Sequence, residues 1–278
     1  MAEAKLPEEL IREIIRFCAP PFCAKTFLKF PAGPPDAAPP RSSPRGPPAF
    51  RGVMNVLLVS KRWLRIGTPM LWEGVALRKS KHTSAVARFV SSDPAVGRMI
   101  HYLRLEGGSM TRDLVKLTKH ASNIHTVYIG ECRHPSDSYD GLQHVIRYLR
   151  PTTLYINLGL GLSEYASSPT KRDENEVVLK AIVGLWTSVM SLHLSNCEAL
   201  DVSWEVSLHL DELHIPTPDL PSLQFPWLWH WLARSKVFKR LVLHGPGDRD
   251  VIRVYYQDIA TMYRRGQDDV LTFADERD

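Results

Sequence analysis

Short alternations of apolar and other positions recur along most of the chain and predict β-strands, because strand side chains point to two faces in turn. The alternations are Val75-x-Leu77, Leu103-x-Leu105, Val127-x-Ile129, Leu154-x-Ile156, Leu192-x-Leu194, Leu213-x-Ile215, Leu241-x-Leu243 and Leu271-x-Phe273. Their first positions are 28, 24, 27, 38, 21, 28 and 30 residues apart. This spacing suits a solenoid whose repeated unit is one strand and one helix.

Helical periodicity fills the intervals between these strands. It is clearest over residues 112–122, 140–149, 175–189, 226–237 and 250–264. The longest interval also holds a polar loop at residues 163–174. Strands that alternate with helices predict a mixed α/β fold with a parallel sheet.

Two of the strands continue into a pattern that resembles the leucine-rich-repeat consensus. They are Val127-x-Ile129-x-x-Cys132 and Leu192-x-Leu194-x-x-Cys197. The resemblance implies that Cys132 and Cys197 are buried turn residues that cap their strands. We therefore expect residues 75–278 to form an irregular leucine-rich-repeat-like α/β solenoid of about seven units.

The N-terminal region has a different pattern. Residues 6–18 read as a helix with Pro7 at its first position and two apolar rows, Leu6, Leu10 and Ile14 beside Ile11, Ile15 and Cys18. A second helix begins at Val53 and includes Val56, Leu57, Ser60, Lys61 and Trp63, and Gly67-Thr68-Pro69 is expected to break it. Residues 19–52 hold ten of the 21 prolines and are predicted to be a disordered loop.

Three ordered blocks in this region resemble an F-box. They are Leu6-Pro7-Glu8-Glu9-Leu10, Val59-Ser60-Lys61-Arg62-Trp63 and Pro69-Met70-Leu71-Trp72. The chain departs from the family in spacing, since 34 residues separate Cys18 from Val53. That segment is either an insertion in a surface loop or an error in the gene model, and the sequence leaves both open. The resemblance is to fungal F-box proteins with irregular repeats.

The F-box resemblance implies two domains with different functions. Residues 1–74 are expected to form a three-helix F-box domain, closed by Leu71 and Trp72, and residues 75–278 the leucine-rich-repeat-like domain. The residues that would build or contact the binding site for the Skp adaptor, and through it a cullin, are Leu6, Pro7, Leu10, Ile14, Leu57, Val59 and Trp63. The implied role is a non-enzymatic substrate receptor of a ubiquitin ligase. The alternative is that these apolar rows pack on the chain's own repeats.

Strand alternation also predicts a face for a protein target. If the leucines point inward, the neighbouring side chains point to the open side of the sheet. These side chains are Arg104, Glu106, Tyr128, Tyr155, Asn157, His193, Ser195, His214 and His244. Repeat proteins bind partners on such surfaces, although ordinary solvated strand residues would give the same pattern.

The charge distribution and the cysteine content limit the kinds of partner and the cell compartments that we expect. The net charge is +5, and residues 41–104 hold twelve Lys and Arg against only Glu73 and Asp93. This stretch suits a solvated face or a docking face for an acidic protein, and without a nucleic-acid-binding motif we expect no nucleic acid partner. Four cysteines, no secretion signal and no long apolar run favour the cytosol or nucleus and predict no membrane span.

Several groups of residues that could suggest a metal, phosphate-binding or catalytic site are better explained by structural roles. Cys18, Cys23, Cys132 and His134 lack metal-site spacing, and Gly159-Leu160-Gly161 lacks the lysine of a phosphate loop. His193 and Ser195 have no nucleophile elbow around them, and Trp227 and Trp231 share a helix face typical of a core. We expect no metal and no cofactor. Two rival functions remain, a repeat scaffold with a degenerate F-box and an enzyme that uses His193, His214 and His244 with a carboxylate.

Overall fold

The computed structural model describes residues 6–18, 57–107, 111–130, 139–157, 187–194, 210–216, 238–244 and 271–273. The helices there are α1 (Glu8–Cys18), α2 (Lys61–Trp72), α3 (Ser80–Ser92), α4 (Pro94–Gly97), α5 (Thr111–His120) and α6 (Tyr139–Tyr148). The strands are β1 (Gly74–Leu77), β2 (Tyr102–Leu105), β3 (Thr126–Gly130), β4 (Thr153–Asn157), β5 (Ser191–Leu194), β6 (Glu212–Pro216), β7 (Arg240–His244) and β8 (Leu271–Phe273). All eight predicted strands are confirmed.

The chain divides into two compact units, Met1–Leu149 and Arg150–Asp278. In the first unit β1, β2 and β3 pair in sequence order and run parallel. In the second unit β4 to β8 also pair in sequence order and run parallel. The predicted mixed α/β class with parallel strands is therefore confirmed.

Neighbouring strands within each unit begin with the same hydrogen-bond pattern. The carbonyl of the residue before one strand accepts from two successive N–H groups at the start of the next strand. Glu73 accepts from His101 and Tyr102 at 2.9 Å each, and Thr152 accepts from Met190 and Ser191 at 2.8 and 3.0 Å. The carbonyls of His101, Met190 and Asp211 do the same. This shared start fixes the register of each pair although the intervals between the strands differ in length.

Three of the helix predictions are confirmed, with small shifts at the ends. Residues 6–18, 112–122 and 140–149 correspond to α1, α5 and α6. Pro7 lies one position before α1, and its carbonyl accepts the first helical hydrogen bond from the Ile11 N–H at 3.2 Å. The structure adds α3, whose turns bury Thr83, Ala87 and Val90.

The expected helix break at Gly67-Thr68-Pro69 is wrong, because α2 continues through it to Trp72. A Cβ atom built on Gly67 would lie 2.0 Å from Leu57 Cδ2 and 3.2 Å from Ile15 Cδ1. Glycine is thus present for close packing rather than for a turn. Thr68 donates its hydroxyl to the Leu64 carbonyl at 2.6 Å within the same helix.

The second helix also differs at its start. Leu57 is helical, but Leu58 and Val59 form a turn, and Ser60 precedes α2 in an extended conformation. The Ser60 hydroxyl accepts from the Trp63 N–H at 3.3 Å, as expected for a residue that caps a helix. The prediction that placed Ser60 inside a helix is therefore wrong.

Several predictions fall outside the described residues. They concern the proline-rich segment 19–52, the polar loop 163–174, the helices 175–189, 226–237 and 250–264, the Gly159–Gly161 turn and the side chains of Cys18, Cys132 and Cys197. Among the helices that the structure describes, none has the length and apolarity needed to cross a membrane.

Candidate functional site

Helices α1 and α2 pack against each other around a small apolar core. Ile11 and Ile15 of α1 are buried against Leu57 and Ile66, each with 7% or less of its surface exposed. Trp63, Met70 and Leu71 are partly buried around this core. The apolar row of α1 that includes Ile11 and Ile15, predicted to lie beside the Leu6 row, therefore holds the two helices together.

A charged contact fixes the same pair of helices at the surface. Glu8, in the first turn of α1, accepts from Arg65 of α2 and lies 3.8 Å from the Nε atom of Arg62. A carboxylate in the first turn also complements the helix dipole. The apolar core and this ion pair together set the position of α1 on α2.

The other apolar row of α1 remains exposed. Leu10 is 49% exposed, and in the turn before α2 Leu58 is 73% and Val59 66% exposed. Among the described residues, six of the nine exposed large apolar side chains lie in α1, in α2 or just before one of these helices, and we call them the apolar N-terminal face: Leu6, Leu10, Ile14, Leu58, Val59 and Leu64. Such a concentration of exposed apolar side chains is typical of a protein-binding surface.

The predicted adaptor-binding residues divide into two groups. Leu6, Pro7, Leu10, Ile14 and Val59 are exposed. Leu57 is buried in the core and Trp63 is partly buried beside it, so these two residues support the face from behind. Leu58 and Leu64 also belong to the face, although they are not among the predicted adaptor-binding residues. Leu58 lies between two predicted adaptor-binding residues, Leu57 and Val59. Because the sequence pattern predicted a helix over this segment, it did not indicate the turn that exposes Leu58.

A second candidate site is a column of stacked rings in the second unit. Tyr155, His193 and His214 occupy the same register position on β4, β5 and β6. The ring centroids of Tyr155 and His193 are 3.9 Å apart with planes at 18°, and those of His193 and His214 are 3.8 Å apart at 19°. We call these three residues the aromatic ladder.

Polar side chains on the same strands contact the aromatic ladder. The Ser191 hydroxyl lies 3.1 Å from the Nε2 atom of His193. A Glu212 carboxylate oxygen lies 3.4 Å from the Nε2 atom of His214. Since both partners precede their histidine by two residues, strand alternation places them on the same face. The arrangement holds both imidazoles in fixed orientations.

The rest of the predicted target face is only partly described. Asn157 is half-buried at the end of β4. Ser195 lies outside the described residues, and His244 lies on β7, paired in register with Pro216, but its side chain is outside them. The register position after His214 is held by the buried Val242, which ends the ladder.

The predicted exposure of Arg104, Glu106 and Tyr128 in the first unit is wrong. The three residues are 2%, 1% and 7% exposed. Glu106 accepts from both Arg104 and Arg78, and the Arg104 guanidinium carbon lies 4.2 Å from the centre of the Tyr128 ring. Burial is tolerated because the Glu106 carboxylate neutralises the buried Arg104 guanidinium, which also stacks on an aromatic ring. Both faces of β2 and β3 are covered here, whereas β4 and β5 alternate as predicted.

A pair of histidines lies where β2 and β3 begin. The His125 ring centroid is 5.5 Å from that of His101 and 5.1 Å from that of Tyr102. Partial burial lowers the pKa of His125, His101 lowers it further, and Glu73 opposes the shift. The His125 imidazole is therefore less easily protonated in the folded protein than in a free peptide.

Within the described ranges, no group of three or more His, Cys, Asp or Glu side chains is arranged to hold a metal ion. No protein-family model matches the chain, and none of the curated proteins compared with it gives a significant match.

Proposed function

We propose that this protein is an F-box substrate receptor that acts in the cytosol or nucleus. Its N-terminal helices bind the Skp adaptor of a Skp–cullin–F-box ubiquitin ligase, and its repeat region binds a protein target. The chain performs no chemistry itself. It raises the effective concentration of a target lysine near a ubiquitin-loaded partner enzyme.

The observation that carries the proposal is the apolar N-terminal face. The core of α1 and α2 uses Ile11, Ile15, Leu57 and Ile66, while the leucine row that the F-box motif assigns to the adaptor stays in solvent. Burial of one such side chain contributes about 1.5–3 kcal/mol. A partner groove that covers several of them would gain enough free energy for stable binding.

The aromatic ladder supports the second half of the proposal. Tyr155, His193 and His214 present partly exposed rings in a row, and Asn157 lies on the same side of β4. Tyrosine and other rigid aromatic side chains are favoured at binding surfaces because little conformational entropy is lost when a partner covers them. We assign target binding to this ladder rather than to the buried Tyr128.

The test is co-purification of the full chain with the Skp adaptor. The informative variant is the double substitution Leu6→Asp/Leu10→Asp, which places two charges on the apolar N-terminal face without altering the buried core. The matched control is Met190→Asp, a charge placed on an exposed apolar residue of the second unit. The folded state of each variant is checked by its thermal unfolding midpoint.

We expect the native chain and Met190→Asp to bind the adaptor, and Leu6→Asp/Leu10→Asp to lose binding while keeping its unfolding midpoint. Failure of the folded native chain to bind the adaptor would overturn the proposal. Equal binding by the double variant would exclude this face as the site.

A further inference from the structure

Helices α3 and α5 of the first unit pack side by side and present basic ridges. Ser84 of α3 donates its hydroxyl to Asp113 of α5, which joins the two helices directly. Exposed basic residues follow the helical repeat on both helices, and Arg98 follows α4. We call this set the basic helix face: Lys81, Arg88, Arg98, Arg112, Lys116 and Lys119.

Arg98 extends the face toward the end of α5. A Cβ atom built on Gly97 would lie 2.6 Å from the His120 carbonyl oxygen, so α4 packs closely against the end of α5. The Asn123 side chain also donates to the Arg98 carbonyl at 2.6 Å. The charges therefore belong to one surface built from adjoining elements.

The acidic residues near this face have other roles. Asp93 accepts from the Ala95 N–H at 3.1 Å and caps α4. Asp113 accepts from Ser84 between the helices. Within the part of the chain that the structure describes, none of the six basic side chains forms an ion pair.

Part of this charge distribution opposes helix stability, although Lys119 in the last turn of α5 complements the helix dipole. On α5, Arg112, Lys116 and Lys119 have spacings of four and three residues, and like charges at such spacings destabilise a helix by about 0.2–0.5 kcal/mol per pair. Lys81 and Arg112 also lie in first turns, where the helix dipole favours acidic residues. Departures from local rules are expected where a surface serves binding.

Positive charges at the start of α3 also act on a neighbouring imidazole, although burial has the larger effect on it. Burial first, and then the charges of Lys79, Arg78 and Lys81, lower the pKa of His82 at the start of α3. The imidazole is therefore less easily protonated in the folded protein than in a free peptide. A ligand that brought negative charge to this surface would reduce the repulsion.

We infer that the basic helix face binds an acidic polypeptide segment. Carboxylates on one side of a helical segment repeat about every 6 Å, the spacing at which Arg112 and Lys116 repeat on α5. The Phe89 ring of α3 stacks on the Trp72 ring of α2 with centroids 5.0 Å apart and is still 45% exposed. Apolar side chains of a polypeptide can cover this ring, whereas a duplex phosphate backbone leaves it in water. The inference does not depend on adaptor binding, because all six basic residues lie on α3 or α5 or directly after α4.

The experiment measures binding of the full chain to a labelled peptide of about 20 residues rich in Glu and Leu, by fluorescence anisotropy at about 0.15 M salt. The variant is Arg112→Gln/Lys116→Gln/Lys119→Gln. The matched control is Arg12→Gln/Lys61→Gln/Arg150→Gln, which removes three exposed positive charges outside the face. A peptide with Gln in place of Glu and a duplex DNA of similar length are the comparison ligands.

We expect the α5 variant to weaken binding of the acidic peptide about tenfold or more, and the control variant to change it little. The α5 variant loses both like-charge repulsion and the favourable dipole interaction of Lys119, so its thermal midpoint should stay nearly unchanged, which separates binding from loss of fold. Three outcomes would overturn the inference: no binding by the native chain, equal loss in the control variant, or tighter binding of the DNA than of the acidic peptide.

Discussion

The imidazole rings of His193 and His214 stack with their centroids 3.8 Å apart. The stack follows from the parallel register, which places His193 directly opposite His214 and Tyr155 directly opposite His193. Ordinary strand spacing of about 4.8 Å allows rings on neighbouring strands to approach this closely. His193 therefore contacts an aromatic ring on each side and is the central residue of the ladder.

The first prediction is that His193→Ala destabilises the protein by about 1–2 kcal/mol, because each aromatic pair contributes about 0.5–1.5 kcal/mol beyond area burial. Urea unfolding measures the change, and Met190→Ala, on an exposed residue just before β5, serves as a control that should change little. The double variant Tyr155→Ala/His193→Ala should lose less than the sum of the single changes. Strict additivity would show that the two rings are not coupled.

The buried charges of β2 lead to a second prediction. Glu106 accepts from Arg104 and Arg78 and is almost fully buried. Glu106→Gln keeps the shape of the side chain and removes the only negative charge that these two guanidinium groups share in the described part of the chain. We expect a loss of about 3 kcal/mol in the free energy of unfolding.

Arg78→Gln is the matched comparison for that prediction. The Arg78 side chain is 43% exposed, so its ion pair with Glu106 is screened by water and should contribute less than about 1 kcal/mol. Chemical denaturation of both variants gives the ranking. An equal or larger loss for Arg78→Gln would contradict the assignment of Arg104 and Glu106 as the main pair.

The strands could be predicted from the sequence, whereas the environment of their outward residues could not. Alternation at Leu154-x-Ile156 and Leu192-x-Leu194 is a local signal, and in β4 and β5 it also gave the correct exposure. The same signal at Leu103-x-Leu105 located β2 but misplaced Arg104 in solvent. Alternation predicts which side chains share a face of a strand. It does not predict whether that face is buried, because the residues that cover it come from other parts of the chain.

Gly67 shows the same limit in a helix. Gly67 and Pro69 are usual signals of a break, and the local sequence gives no sign that Leu57 packs within reach of the glycine. The apolar N-terminal face could likewise be predicted only in part from the local sequence. The leucine row of α1 could be predicted from its spacing, but the exposure of Leu58 required the turn that precedes Ser60.

The third prediction compares two glycines. In Gly97→Ala the new Cβ would lie 2.6 Å from the backbone oxygen of His120, which cannot rotate away. In Gly67→Ala the closest atom is a δ-methyl of Leu57, which can move, and alanine also favours the helix by about 1 kcal/mol. We expect Gly97→Ala to lose about 2–3 kcal/mol and Gly67→Ala about 1 kcal/mol. Thermal unfolding gives the order, and a larger loss at Gly67 would show that the Leu57 side chain is rigid.

The fourth prediction concerns stability below neutral pH. The pKa of His125 is lower in the folded protein than its ordinary value of 6.5. The unfolded chain therefore binds the proton more readily, and stability falls as the pH drops from about 6.5 toward the folded pKa, below which this contribution stays constant. Unfolding free energies measured across this range should show a shallower slope in His125→Gln. An unchanged slope would mean that burial beside His101 and Tyr102 does not govern the titration.

The last prediction tests how nearby positive charges change the pKa of His82 at the start of α3. Lys79 and Lys81 lower the pKa of His82, so Lys79→Gln and Lys81→Gln should each raise it, and NMR titration of the imidazole protons measures the change directly. Concentrated salt should raise the pKa of His82 in the native chain for the same reason, because the Debye length falls from about 10 Å at 0.1 M to about 3 Å at 1 M. Lys119→Gln, at the far end of the neighbouring helix, should leave it nearly unchanged. A pKa that moves in neither lysine variant nor in salt would assign the whole shift to burial, and His82 could then not report on charge at the basic helix face.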